Sequence, residues 1–422
     1  MGKIGDIIRQ VRGSRDGRVL AKNLWYMSLL QVANGVFPFV TMPYLAKVLG
    51  VDGFGKVAFA AAIIVWVQTI TDWGFNYSAT REVSLHKEDK SRLSQIFNNV
   101  MWAKVALMLL TALALAALTV AVPKFREHAL LIGVTFLLVP GHVMFPEWLF
   151  QGLERMKYIT ILNVVAKALF TVAVFLFVKE KGDYWLQPLL SSVGYLVAGT
   201  AAMALVWKKF GLRMGLPRWN EVGKTIKGST DIFINNLMPN LYNSLTTVTL
   251  NLFSGDVRTG YYSSGKNLTA ISNVLLNTIT RVFFPYLSRK QDYHSIYAQV
   301  NIGLSVVVAA ALAIGAPLWI KILYPDADFA NAVLILRITS VAVVFNTLNN
   351  VYGQNYLLVK HKDRLLRNIV IVSSLVGFAL SVPLISKWSY IGAAVVYVTS
   401  TVLIGVLPMV AALRLKRREA RQ

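Results

Sequence analysis

Cysteine is absent from this chain of 422 residues, which excludes disulfides, thiolate metal sites and thiol nucleophiles. Histidine is scarce as well: His86, His128, His142, His294 and His361 are scattered, and no pair has the spacing of a metal site on one helix face. Neither a metal nor a cofactor is expected. Acidic residues are few, 20 against 43 Lys and Arg, and charged residues of both signs make up only 15% of the chain. Long hydrophilic stretches are missing too. The longest connection between apolar windows, Lys208 to Gly228, spans about 20 residues, far below the ~50 of an independent domain, so no soluble catalytic domain fits.

What fills the chain is apolar: 55% of residues are hydrophobic and the mean hydropathy is +0.54. Windows of about 20 apolar residues recur along the whole length, roughly twelve of them, centred near residues 35, 66, 108, 139, 169, 196, 241, 271, 310, 343, 376 and 402. The windows are continuous and lack the apolar/polar alternation of a membrane barrel, so they read as helices. No cleavable signal peptide is expected, because the first apolar run, Leu24 to Leu45, is too long and no small-residue cleavage site follows it. The expected fold is an all-α polytopic membrane protein with about twelve transmembrane helices in two six-helix lobes around a central cavity.

The net charge of +23 is mostly topological. About 29 of the basic residues fall in the termini and the even-numbered loops and about 9 in the odd-numbered loops, which places both termini in the cytoplasm. The basic clusters lack interleaved aromatics and flank membrane ends, where anionic lipid headgroups are the nearer partner, so nucleic acid is not expected as one. The central basic loop divides the chain into a first lobe (1–207), a cytoplasmic linker (208–228) and a second lobe (229–422). A weak repeat supports the division. Gly50-Val51-Asp52-Gly53-Phe54-Gly55 is answered about 205 residues later by Gly255-Asp256-Val257-Arg258-Thr259-Gly260, and each half opens on a helix holding Asn and Pro.

Five cations lie inside apolar windows: Lys104, Lys167, Lys266, Arg281 and Arg337. Each costs about 2.5 to 3.5 kcal/mol at a membrane centre, so they are expected to line something wet or bind something negative. Lys104 and Lys167 lie at the limit of snorkelling from one end. Lys266 shares a stripe about 80° wide with Asn273, Asn277 and Arg281, while Arg281 sits near a helix end and Arg337 lies opposite Asn346 and Gln354. Polar faces recur on the first window, with Gln31, Asn34, Pro38 and Thr41, and on the seventh, where Asn236, Asn240, Asn243 and Thr247 fall within about 60° of one another. Interhelical hydrogen bonding is the plain alternative for any one of these amides. Asp72 and Glu147, near span ends, and His142, deeper in the fourth window, are candidates for gating or proton coupling, with helix-end solvation as the plain alternative for the acids. Gly260 to Asn267 spells a phosphate loop except at its last position, but no strand precedes it and it enters an apolar window, so nucleotide hydrolysis is rejected.

Four motifs in order, Asp72-Trp73-Gly74-Phe75-Asn76-Tyr77-Ser78-Ala79-Thr80-Arg81-Glu82, Pro146-Glu147-Trp148-Leu149-Phe150-Gln151-Gly152-Leu153-Glu154-Arg155-Met156, Phe284-Pro285-Tyr286-Leu287-Ser288 and Asn349-Asn350-Val351-Tyr352-Gly353, make the chain resemble the O-antigen (Wzx-type) polysaccharide flippases. These belong to a superfamily that includes multidrug antiporters and the lipid II flippase. The resemblance implies movement of a polyprenyl-diphosphate-linked oligosaccharide across the bacterial inner membrane, from the cytoplasmic to the periplasmic leaflet, through a cationic cavity. On that expectation Lys104, Lys167 and Lys266 attract the diphosphate or acidic sugars, Asn34, Asn236, Asn240, Asn243 and Asn273 bond the glycan, and Arg281 and Arg337 are further candidates. No catalysis is expected, and partners are the lipid-linked oligosaccharide, membrane lipids and polysaccharide assembly proteins. The alternatives are a drug antiporter of the same fold, which calls for a deep carboxylate, a membrane polysaccharide polymerase or glycosyltransferase, which calls for catalytic acids or a large loop, and a scaffold for polysaccharide assembly.

Overall fold

The computed structural model describes residues 15–289 and 294–419; within these, the side chain of Arg281 lies outside the described part. Among the described residues every regular element is a helix and there is no strand. A chain in hydrocarbon must satisfy its own backbone hydrogen bonds, and these continuous apolar windows do so locally. Eight helical stretches are long and apolar enough to cross a membrane. Two of them, Trp25–Leu85 and Asp363–Arg418, run for 61 and 56 residues, more than twice the ~20 of a single crossing. Each is interrupted partway by a non-helical residue with positive φ, Gly50 (φ 66°) and Ser389 (φ 52°), and so makes two crossings. Two further helices, the short Asn240–Ser254 and the more polar Asp256–Arg289, bring the crossings to about twelve.

In chain order these are α1 (15–49), α2 (51–72), α3 (Lys90–Ala121), α4 (Ala129–Gly152, in three segments), α5 (Met156–Phe177), α6 (Leu186–Leu205), α7 (Asn240–Ser254), α8 (Asp256–Arg289), α9 (His294–Ile314), α10 (Ala332–Leu348), α11 (363–388) and α12 (390–419). The first six enclose one large apolar core around Phe59, Phe97, Trp148 and Phe150. Helices α8 to α12 build separate cores, around Leu268, Ala309 and Phe329 and around Tyr262, Ile335 and Ile385. Large apolar side chains such as Leu113 and Val307 stay exposed at 72% and 65%, as expected where lipid and not water is the solvent.

The linker is more structured than its composition suggests. From Trp219 it forms a helix, Trp219–Leu237, that lies against the first half. The Trp73 indole N–H donates to the Ile226 carbonyl at 3.1 Å and its ring stacks on Phe233 at 3.8 Å, while Ser78 and Ser229 share a 2.7 Å hydrogen bond. The segment before it is pinned by Trp102, whose N–H donates to the Gly215 carbonyl at 2.8 Å. The helix ends at Leu237, and Met238-Pro239 separates it from α7. Both linking residues keep helical dihedrals (φ −54° and −60°), so the seventh polar stripe passes through a proline-containing turn, with Asn236 exposed and Asn240 and Asn243 half-buried.

The repeated glycine turns have the same backbone. Gly50 has φ 66° and ψ −178°, and Gly255 has φ 82° and ψ −178°, a region that is essentially restricted to glycine. They also meet. A Cβ placed on Gly55 would overlap the Asp256 carbonyl, with its carbon only 2.7 Å away, and a Cβ on Gly260 would overlap the Val51 carbonyl and lie 2.7 Å from its Cγ2. Phe54 adds edge contacts to Tyr324 and Phe329 at 5.6 and 6.1 Å. At this turn end the two halves are in backbone contact.

Candidate functional site: a cationic cavity between the halves

Behind the sealed turns lies a cavity of about 450 Å³, walled by α1, α2, α5 and α6 from the first half and by α7 and α8 from the second. Pro38 and Thr41 of the first polar face line it, which is where a proline-interrupted helix can leave backbone carbonyls open to a cavity. Its cations are Lys167 and Lys266. Lys266 donates to the backbone carbonyl of Asn243 at 3.1 Å, and its ammonium stands 5.2 and 5.0 Å from the ring centres of Tyr262 and Tyr397. Among the described residues no acidic side chain pairs with it. Tyrosine faces and one carbonyl stabilise an ammonium without cancelling its charge, so Lys266 keeps capacity for an anion. Lys167 sits one helical turn beyond Asn163 on α5; Asn163 donates to Glu147 at 3.4 Å, and Glu147 is near enough to interact electrostatically with Lys167.

Lys104 is elsewhere. It is 1% exposed, its ammonium pairs with Asp72 Oδ1 at 2.7 Å, and His142 Nε2 stands 3.3 Å from the other carboxylate oxygen. The structure corrects the expectation that Lys104 lines the cavity: at this depth it faces an acid on α2 instead. Asp72, Lys104 and His142 thus tie α2, α3 and α4 together. The second half carries an uncharged counterpart. Asn277, 205 residues after Asp72, accepts from Asn350, whose own carbonyl accepts from Gln354 at 3.1 Å. Asn350 lies in a π-helical run, Asn349–Leu358, that continues α10; such widened turns recur at functional sites.

The remaining predicted residues divide. Asn243 lines the cavity. Asn240 donates to Thr69 at 2.8 Å and so joins α7 to α2, which is the interhelical alternative. Asn34 and Asn273 are half-buried but are not among the residues lining the cavity, and Asn236 is exposed. Arg337 is exposed on α10, away from the cavity. Asn163, Gln187, Tyr195 and Asn267 line the cavity and were missed. The spacing of Asn163 and Lys167 by four residues, one face of a helix, was the available signal.

A bundle of about twelve crossings, sealed at one end and holding a cation-lined cavity between halves, is a fold this chain shares with solved transporters. It superimposes on an inward-facing multidrug resistance MATE family transporter of the MOP superfamily with a TM-score of 0.70 at 13% identity, covering 92% of this chain and 95% of that one. On the lipid II flippase MurJ in an inward closed conformation the score is 0.68 at 12% identity, covering 91% and 87%. An outward-facing MATE transporter gives only 0.52, although 98% of this chain is covered. The chain belongs to the polysaccharide biosynthesis protein family, whose profile matches residues 20–291. It is 27% identical over 394 residues, 91% of this chain and 94% of the relative, to the "Putative O-antigen transporter" of Escherichia coli (strain K12).

Proposed function

We propose that this protein flips polyprenyl-diphosphate-linked oligosaccharide units, O-antigen or related surface polysaccharide repeats, from the cytoplasmic to the periplasmic leaflet of a bacterial inner membrane by alternating access. No bond is made or broken. The observation that carries the reading is Lys266: an ammonium inside the membrane, open to the cavity and without an acidic partner among the described residues. Such a charge is retained at a cost of about 2.5 to 3.5 kcal/mol on insertion scales, which an incoming diphosphate offsets by Coulomb attraction in a poorly screened site. Lys167 is the second cation, and Asn163, Asn243 and Asn267 supply the donors and acceptors that sugar hydroxyls need. The relative named for O-antigen transport and the fold shared with a lipid II flippase support this cargo.

With the basic loops in the cytoplasm, the sealed turn end faces the periplasm and the structure is the inward state. Opening outward then requires α2 and α8 to separate at Gly55 and Gly260, with the two halves rocking about Met238-Pro239. The Asp72–Lys104–His142 cluster, with Glu147 nearby, is the candidate for coupling that movement to protons. A drug antiporter of the same fold needs a carboxylate in the cavity for a cationic drug, whereas two lysines line this one. Lys266→Glu is expected to abolish surface polysaccharide while the protein is still inserted and folded. Normal polymer display in that variant would remove the basis of the assignment.

A further inference from the structure

The sealed end holds a cluster that the transport cycle does not explain. The short helix Pro123–Glu127 and His128, between α3 and α4, bring Glu127 and His128 from the first half against Asp256, the first residue of α8 in the second. One ligand-capable atom from each of the three lies within 4.8 Å of the others. His128 is 4% exposed; its Nε2 is 3.2 Å from Asp256 Oδ1 and 4.0 Å from Glu127 Oε1, yet it makes no hydrogen bond to either. A buried imidazole nitrogen thus stands between two carboxylate oxygens with no hydrogen bond of normal alignment to either. Two ligands held 2.0–2.1 Å from a tetrahedral ion are roughly 3.3 Å apart. The His128–Asp256 separation already matches that bite, and Glu127, exposed at the rim 4.0 Å from Nε2, is within reach of it by a side-chain movement on the order of an ångström.

The surroundings suit the same purpose. Asn251 donates to Asp256 Oδ1 at 2.8 Å and fixes that carboxylate, as outer-shell partners of metal ligands do. Phe59 packs against the imidazole with ring centres 5.3 Å apart. Lys124 stands on the outward oxygens, 2.8 Å from Glu127 Oε2 and 4.0 Å from Asp256 Oδ2, where it acts as a tethered cation in partial compensation.

We propose that Glu127, His128 and Asp256 form a binding site for a divalent transition-metal ion of the Zn²⁺ type, which straps the two halves together at the periplasmic end. The ligand set of one imidazole and two carboxylates suits zinc or cobalt and leaves a fourth position for water. Because Asp256 comes from the opposite half, the site is complete only while the turn end is closed. The ion therefore favours the closed conformation by binding it alone. Lys124 competes for the same carboxylates, so its removal strengthens binding. None of this depends on what the cavity carries.

The test uses the full chain, purified without a histidine tag and titrated with Co²⁺, whose tetrahedral complexes absorb in the visible, then with Zn²⁺ as competitor. The expected result is saturable binding of one Co²⁺ per chain, displaced by Zn²⁺ and lost in His128→Ala. Glu127→Gln, a change at an exposed side chain that leaves the fold alone, should weaken binding on the order of ten- to a hundredfold. Lys124→Met should tighten it. Absence of saturable binding, or equal affinity in wild type, His128→Ala and Glu127→Gln, would overturn the proposal and leave an ion pair between the halves in its place.

Discussion

Replacing Gly55 by alanine should prevent the glycine-turn end from closing. The added Cβ would overlap the Asp256 carbonyl oxygen and lie 2.7 Å from its carbon and 2.9 Å from Gly260 N. Carbon atoms in ordinary contact sit about 3.5 to 4.0 Å apart, so α2 and α8 must part by roughly 1 Å. Neither obstacle is a flexible side chain; both are backbone at the start of a helix. Overpacking of this kind costs about 1 to 3 kcal/mol, and only the closed state bears the cost. The ratio of outward to inward conformations should then rise about five- to 140-fold, since 1.4 kcal/mol is a factor of ten. Because the chain has no cysteine, a single thiol can be placed without background. Ser263→Cys, on the cavity wall, should react slowly with an impermeant maleimide added from the periplasmic side and much faster when combined with Gly55→Ala. Gly260→Ala, which clashes with Val51, should behave alike. Unchanged reactivity in both double variants would refute the assignment of this contact as the outer seal.

Lys104→Met should lower thermal stability sharply, by about 3 to 5 kcal/mol, because it leaves Asp72 without its counter-ion; adding Asp72→Asn should restore much of the loss, measured by unfolding in detergent. Trp73→Ala removes a stacked ring and an indole hydrogen bond, together worth about 1 to 3 kcal/mol, and should loosen the helix Trp219–Leu237 from the first half, seen as faster proteolysis within 219–237. Asn240→Ala, by contrast, should cost under about 1 kcal/mol, the usual worth of a hydrogen bond between membrane helices, and should leave transport intact.

The twelve crossings were legible because hydrocarbon imposes a length and a composition on every span, and those constraints act on local sequence. The repeated turn was legible for a related reason: Gly50 and Gly255 adopt a backbone that other residues avoid, so the pattern survives in the letters. Lys266 was singled out because its polar stripe is a property of one helix. Lys104 shows the limit. Depth alone cannot distinguish a lysine facing a cavity from one facing an acid, and its partner Asp72 is 32 residues away on another helix. The helix Trp219–Leu237 is masked in the sequence because Glu221, Lys224, Lys227 and Asp231 interrupt its apolar residues. Glu127 and His128 likewise lie about 130 residues from Asp256, so no local spacing in the sequence signals their proximity.

The central claim is that Lys266 receives the anionic head of a lipid-linked glycan. It is tested most directly by reconstituting the protein in vesicles loaded with a fluorescent polyprenyl-diphosphate oligosaccharide and measuring how much becomes accessible on the opposite face. The account predicts transfer by the wild type, near-complete loss with Lys266→Glu, and partial activity with Lys266→Arg, which keeps the charge. Equal transfer rates for wild type and Lys266→Glu would contradict it.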